Sequence, residues 1–147
     1  MRCLKLQRGN NRGLERGIIM VCKYGKSALR AVELIRNNYI NDPKEAWEKS
    51  TIEIFGKGSA SQQKGCPRGA FLGLCEEGMV KGVPAGDYCT SQKNKTYAIK
   101  AVNLLKQDAE LHKNKHALWR KVAGEDKEQN NQIDVVVALW ENDLIRV

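Results

Sequence analysis

The sequence predicts an all-α protein of about six helices, arranged as two pseudo-symmetric three-helix repeats that share one core. Helices are predicted because apolar residues recur at helical spacing and because helix-start and helix-stop residues bracket those stretches. The repeats are predicted by three aligned segment pairs, which occur in the same order in each half: Ala28–Arg36 with Ala98–Lys106, Ala46–Lys49 with Leu118–Lys121, and Leu74–Val80 with Leu139–Ile145. One such unit of about 55 residues is marginally stable alone, which favours a shared core.

The first repeat, residues 22–83, holds three predicted helices. A broad apolar stripe predicts the first helix from Lys26 to Arg36. The second begins at Pro43 behind the N-cap Asp42 and reaches about Phe55. The third starts at Pro67, after a polar loop, and stops at Glu77-Gly78.

The second repeat, residues 90–147, holds the other three. Ser91 is a predicted cap for the fourth helix, and a short fifth helix around Trp119 stops at Gly124. Asp126 is predicted to cap the sixth helix, with Gln129 as its capping-box partner. The apolar run Val135–Val137 also suits a buried strand, but the spacing of its neighbours favours a helix.

The net charge of +8 is unevenly distributed along the 147 residues. Residues 1–19 hold five lysines and arginines against Glu15 alone, a net +4, so half of the excess lies there. We predict that residues 1–21 form a flexible basic tail and that residues 22–147 form a single domain. Translation is predicted to start at Met20, because the codons of Glu15-Arg16-Gly17 are compatible with a purine-rich ribosome-binding site.

Cysteine usage and hydropathy predict a cytoplasmic protein with no membrane partner. The five cysteines are an odd number at irregular spacing, and no CxxC pair occurs, which does not suit a disulfide framework. No apolar run approaches the roughly 18 residues that a membrane span needs.

Several short motifs together resemble a family of short bacterial proteins with no assigned function. The motifs are Lys23-Tyr-Gly25, Glu45–Lys49, GCPRGAFLGLCEEG over Gly65–Gly78, Lys93-Asn-Lys95 and Ala138–Glu141. The resemblance covers about Cys22 to Val147. It implies no catalytic or binding residue.

Two polar, basic loops predict a site for an anionic partner. The first loop, Ser59–Arg68, precedes a helix N-terminus, where unpaired backbone N–H groups and the helix dipole favour phosphate or carboxylate. The second, Thr90–Lys95, adds further lysines. The predicted binding residues are Ser61, Gln62, Lys64, Arg68, Lys93 and Lys95.

Nucleic acid is the favoured partner, bound through its phosphates. A helix–turn–helix is disfavoured, because the third helix is apolar over Gly69–Cys75 and lacks there the Arg, Asn or Gln side chains that read base edges. The alternative is a protein-interaction or regulatory module, such as a homodimer or an inhibitor of a host enzyme. Basic helix faces are also commonly just solvated.

An enzyme is the least favoured class. Cys66, next to Lys64 and Arg68 at a helix start, is the one weak catalytic candidate, and no base is evident near it in the sequence. No cofactor is predicted. The metal-ligand types Cys66, Cys75, Cys89, His112 and His116 lack the paired spacing of zinc sites, so no metal is predicted. Glu76 and Glu77 are expected to form a solvated helix end.

Overall fold

The computed structural model describes the backbone of residues 12–147 and the side chains of residues 23–147. Its elements are α1 (Arg12–Arg36), α2 (Pro43–Phe55), α3 (Gly65–Glu76), α4 (Gln92–Gln107), a 3-10 helix (Ala109–Lys113), α5 (Lys115–Ala123) and α6 (Gln132–Glu141). Across residues 12–147 no β-strand forms, and Val80 and Ile145 make one isolated antiparallel bridge. The prediction of an all-α fold with six helices is confirmed.

The first helix is longer than its apolar stripe predicted. Its helical backbone begins at Arg12 rather than Lys26. Residues 1–11 and the side chains of residues 12–22 lie outside the described part of the chain. The tail over residues 1–21 and the start at Met20 therefore stay predictions.

Helix α2 is bounded as its sequence predicted. The Asp42 carboxylate accepts a hydrogen bond from the Lys44 N–H at 2.9 Å, and Pro43 takes the first helical position. Gly56, at φ +90°, ends the helix with its N–H bonded to the carbonyl of Ile52. Local side-chain chemistry is sufficient to set both ends of this helix.

Three helices end in the same way, with a residue in the left-handed region: Asn38 (φ 62°), Gly78 (φ 70°) and Asp143 (φ 59°). In each case the next N–H reaches back five residues to a helix carbonyl, as in a Schellman motif. These bonds are Tyr39 N to Leu34 O at 3.0 Å, Met79 N to Leu74 O at 3.0 Å, and Leu144 N to Leu139 O at 2.9 Å. Only α3 uses glycine for this turn, so the ends of α1 and α6 carry a weaker sequence signal.

The predicted starts of α3 and α6 were wrong. Helix α3 begins at Gly65, two residues before Pro67, with Lys64 as its N-cap. Helix α6 begins at Gln132, well after Asp126, with Asn131 as its N-cap at φ 72°. The Gln129 side chain still serves this helix, because its oxygen accepts from the Ile133 N–H at 3.0 Å. Because Asn tolerates the left-handed region, Asn131 can begin α6 five residues after Asp126, the start that the capping-box pattern predicts.

The core is one continuous apolar cluster to which all six helices contribute. Trp47 is 1% exposed and stacks on Phe71 with ring centroids 5.2 Å apart. Trp119 is 4% exposed and meets Tyr97 edge-on at 5.0 Å. The run Val135–Val137 is helical and buried, as its spacing predicted. Phe55, the last residue of α2, is only half-buried and packs on the edge of the cluster.

The two halves of the chain are interleaved. Helix α1 packs on α6, and α4 packs on α3, so each half supplies its first helix to the third helix of the other. Small residues allow close approach at both contacts. A Cβ atom on Gly25 would lie 2.8 Å from the Ala138 Cβ, and one on Gly73 would lie 2.7 Å from the Lys95 Cα.

Candidate anion-binding site

The two basic stretches predicted from the sequence lie side by side. Loop Ser59–Arg68 joins α2 to α3, and Ser91 is the N-cap of α4. Gly69 is the point of contact, since a Cβ atom there would lie 3.1 Å from the Ser91 Cβ and 2.9 Å from the Asn94 Cβ. The start of α4 therefore packs directly on the N-terminal half of α3.

Gln62 and Ser61 hold the shape of the first loop. The Gln62 amide donates to the Thr51 hydroxyl at 3.1 Å, and its oxygen accepts from the Gly58 N–H at 3.1 Å. The carbonyl of Ser61 accepts from the Tyr24 hydroxyl at 2.9 Å, while the Ser61 side chain is exposed. The amide of Gln62 is thus committed to the loop, and Ser61 presents its hydroxyl to solvent.

Lys64 connects the starts of α3 and α6. Its Nζ donates to the Asn131 Oδ1 at 2.7 Å and lies 5.8 Å from the centroid of the Tyr24 ring. The Asn131 amide in turn donates to Asp134, a carboxylate that is also paired with the Lys115 Nζ at 2.9 Å. No carboxylate contacts the Lys64 ammonium among the described residues, so its charge is only indirectly compensated.

Lys95 is held by two carboxylates. Its Nζ lies 2.5 Å from the Glu76 Oε2 and 2.6 Å from the Glu77 Oε2, and its side chain is 12% exposed. Glu76 also accepts from the N–H groups of Tyr88 at 2.8 Å and Cys89 at 2.9 Å. The hydrogen bond from Lys95, followed by those from the two backbone groups, lowers the pKa of Glu76 to about 2. The expectation of a solvated carboxylate at Glu76 was therefore wrong.

Arg68 and Lys93 remain as the basic side chains available to a ligand. Lys93 is exposed, with its Nζ 5.9 Å from the centroid of the Tyr97 ring, and Arg68 is half-buried. Neither forms an ion pair within the described part of the chain. Lys64 is the N-cap of α3, Arg68 is its fourth residue, and Lys93 is the second residue of α4, so all three lie near a helix start.

Those two helix starts differ from the starts of α2, α5 and α6. Neither α3 nor α4 has a side-chain cap bond or an acidic residue in its first turn. Asp42 caps α2 and Asn114 caps α5, whereas α6 has Asp134 in its first turn and the Gln129 oxygen on an N–H group. Backbone N–H groups at the starts of α3 and α4 thus have no side-chain acceptor from residues 23–147.

Among residues 23–147, the thiols of Cys66, Cys75 and Cys89 do not come together as a catalytic or metal site. Cys66 is a half-buried free thiol at the second position of α3, and neither histidine bonds to it among residues 23–147. His112 instead pairs with Glu141 at 2.7 Å, at the end of α6. Cys75 and Cys89 are buried, and burial raises the pKa of the Cys75 thiol. Within the described residues, no group of three or more His, Cys, Asp or Glu side chains suits a metal ion.

A buried polar network behind the site has no counterpart in the sequence prediction. The Asn94 oxygen accepts from the Gln132 amide at 2.9 Å, and the Gln132 oxygen accepts from the Asn130 N–H at 2.7 Å. Asp134 is 4% exposed at the edge of a cavity of about 790 Å³. The bond between Gln132 and Asn94 had no local signal in the sequence, because the two residues are 38 positions apart.

Fold and site together define a small all-helical protein with two adjacent, uncapped helix starts surrounded by basic side chains. None of the helices described has the length and apolarity required to cross a membrane. Residues 21–146 match the family described as a family of unknown function (DUF6979), and the chain belongs to that family. No curated protein and no solved structure matches the chain.

Proposed function

We propose that this protein is a small binding module for an anionic partner, with the phosphate backbone of a nucleic acid as the favoured ligand. The observation that carries the proposal is the pairing of two uncapped helix starts, those of α3 and α4, beside Arg68 and Lys93. Helix N-termini carry unpaired N–H groups and a partial positive charge, which together suit a phosphate oxygen.

The residues around this site divide into two roles. Arg68 and Lys93 supply charge to the ligand, with Lys64 as a third cation. Lys95 and Gln62 hold α4 and the loop in place through bonds that they already make. Few side chains in the site are suited to reading base edges, so binding is expected to have little sequence preference.

Salt dependence tests this proposal directly. Binding of fluorescein-labelled single- and double-stranded DNA and RNA to the full chain is measured by anisotropy at several salt concentrations. Two or three phosphate contacts on a duplex give a log–log slope of about −2 to −3. The double variant R68E/K93E is expected to weaken binding and to reduce the size of that slope by about 2.

The matched control is K44E/K106E, which makes the same change in net charge at two exposed lysines. Lys106 lies about 20 Å from Lys93 along α4, at a rise of about 1.5 Å per residue. The N-terminal basic residues are identical in both variants, so their contribution cancels. Equal losses in the two variants, or no salt-dependent binding at low salt, would contradict a phosphate site at α3 and α4.

We also propose that the chain is a duplicated three-helix unit. Two hydrogen bonds on either side of the Val80–Ile145 bridge support this: Lys81 N to Leu144 O at 2.8 Å, and Arg146 N to Met79 O at 2.9 Å. The third helices of the two repeats align at an offset of 65 residues, which relates Met79 to Leu144 and Lys81 to Arg146. The two bonds are therefore equivalent, one in each direction. The contact between Gly25 and Ala138 is likewise equivalent to the contact between Lys95 and Gly73. An offset of 70 relates Gly25 to Lys95, and an offset of 65 relates Gly73 to Ala138.

We also propose that the protein works in the cytoplasm, because a reducing compartment suits the free thiols Cys66, Cys75 and Cys89. A thiol enzyme centred on Cys66 is disfavoured, because no base contacts this thiol among the side chains of residues 23–147. Protein interaction is the second candidate, and an apolar groove on α1 favours it.

A further inference from the structure

A groove of about 710 Å³ lies between α1, the end of α2 and the segment that follows α6. One side is a face of α1 from Lys26 to Arg36, continued by Asn37, and the other is formed by the end of α2 and the C-terminal segment after α6. Its floor is apolar, with partly exposed side chains of Leu29, Ile54 and Leu144. Volumes of this size are typical of sites that take several apolar groups.

The charges on the groove follow a simple order. At its middle, Arg30 bonds to both Glu33 and Glu53, with 3.0 Å between the Arg30 Nε and the Glu53 Oε1. The hydrogen bond from Arg30 lowers the pKa of Glu53, so this carboxylate remains charged and paired. Lys49 also contacts Glu53, with 3.5 Å between its Nζ and the Glu53 Oε2, so two cations offset the two carboxylates at the middle of the groove.

The two ends carry unmatched positive charge. Lys26 and Arg36 line the groove, and neither forms an ion pair with a residue from 23 to 147. Ten residues of helix separate them, about 15 Å along the α1 axis. A ligand that complements this surface is apolar at its centre and acidic at both ends.

We propose that this groove binds a peptide segment of a partner protein, with apolar side chains flanked by acidic residues. In this complex the apolar side chains of the peptide pack on Leu29, Ile54 and Leu144. Its two carboxylates lie near Lys26 and Arg36. This is the mode in which an amphipathic segment fills a groove and polar rim contacts set its direction.

Other occupants fit this surface less well. A nucleic acid would place phosphates near Glu33 and Glu53 and would leave the apolar floor without a complementary group. A second copy of this chain would need an apolar ridge. Among the described residues, the large apolar side chains that are strongly exposed are only Tyr39 and Val147.

Selection from a random dodecapeptide library displayed on phage, with the full chain as bait, tests the proposal. Enriched peptides are expected to carry two or more aliphatic residues between acidic residues. A labelled consensus peptide should then bind the double variant K26E/R36E about tenfold more weakly. A version with lysines at both ends should show the reverse preference.

Two controls make the result specific. Arg36 packs over Gly82, so the single variant K26E separates lost charge from lost packing. The variant R68E/K93E should bind the peptide as the unaltered chain does, which keeps this proposal separate from the phosphate site. Absence of enriched peptides, or binding that K26E and K26E/R36E leave unchanged, would overturn the proposal. Self-association that the same variants abolish would assign the groove to a second copy instead.

Discussion

Glu76 on α3 and Lys95 on α4 form an ion pair of 2.5 Å directly beside the closest approach of the two helices. The same carboxylate holds the segment before α4 through the N–H groups of Tyr88 and Cys89. One side chain thus joins the end of α3, the connecting segment and the start of α4. The orientation of the proposed phosphate site depends on this junction.

This junction predicts a loss of stability in acid. The pKa of Glu76 lies at about 2 in the folded protein, below its ordinary value of 4.5, mainly because of the hydrogen bond from Lys95. Below pH 4.5 Glu76 binds a proton in the unfolded chain but stays ionised in the folded chain. Its contribution to the free energy of unfolding therefore declines as the pH falls from 4.5 to 2. Urea midpoints measured across that range should fall less steeply for E76Q than for the unaltered chain. The control E48Q, at an exposed position, should show the unaltered slope, and an equal effect would contradict this role of Glu76.

Gly73 should be intolerant of alanine. A Cβ atom there would lie 2.6 Å from the Lys95 Cβ and 2.7 Å from its Cα, so α3 and α4 must separate. We expect G73A to lower the free energy of unfolding by about 1–3 kcal/mol, although alanine favours the helix by about 1 kcal/mol. In the control G65A the new methyl group meets nothing within 4 Å, so its stability should be equal or higher. Denaturant unfolding that finds both variants alike would show that this contact is not tight.

Trp47 and Trp119 should respond differently to replacement by phenylalanine. The Trp119 Nε1 donates to the Lys127 carbonyl at 2.7 Å, whereas the buried Trp47 Nε1 has no acceptor among the described residues. W119F loses a hydrogen bond and W47F loses none, so W119F should be the more destabilising by about 1 kcal/mol. Chemical unfolding of the two variants gives this difference. A larger cost for W47F would indicate that its indole N–H has a partner such as a buried water.

Thiol reactivity should follow burial. Cys66 is partly exposed, while Cys75 and Cys89 are buried and the pKa of Cys75 is raised. Iodoacetamide labelling of the native chain, followed by mass spectrometry, should modify Cys66 well before the other two. Labelling in denaturant is the control, since all three should then react at similar rates. Fast native labelling of Cys75 would show that α3 opens readily.

Helix existence was predictable because its causes are local. The apolar stripe of α1, the Asp42–Pro43 start of α2 and the stop at Gly78 all act within a few residues. The start of α6 was not predictable in this way, because Asn131 enters the helix through a left-handed turn that a capping-box pattern does not contain. Membership in a family without an assigned function was also evident from the short motifs.

The sequence by itself determined six helices, most of their core faces and the presence of two basic stretches near helix starts. Tertiary structure alone decided which of those charges remain available. Lys95 is neutralised by Glu76 and Glu77, and Lys64 is turned toward Asn131, whereas Arg68 and Lys93 have no carboxylate partner among residues 23–147. A helix forms from contacts three or four residues apart, but an ion pair joins residues that only the packing of helices brings together. Charge in a sequence therefore predicts where cations occur, and the fold determines which of them a ligand can use.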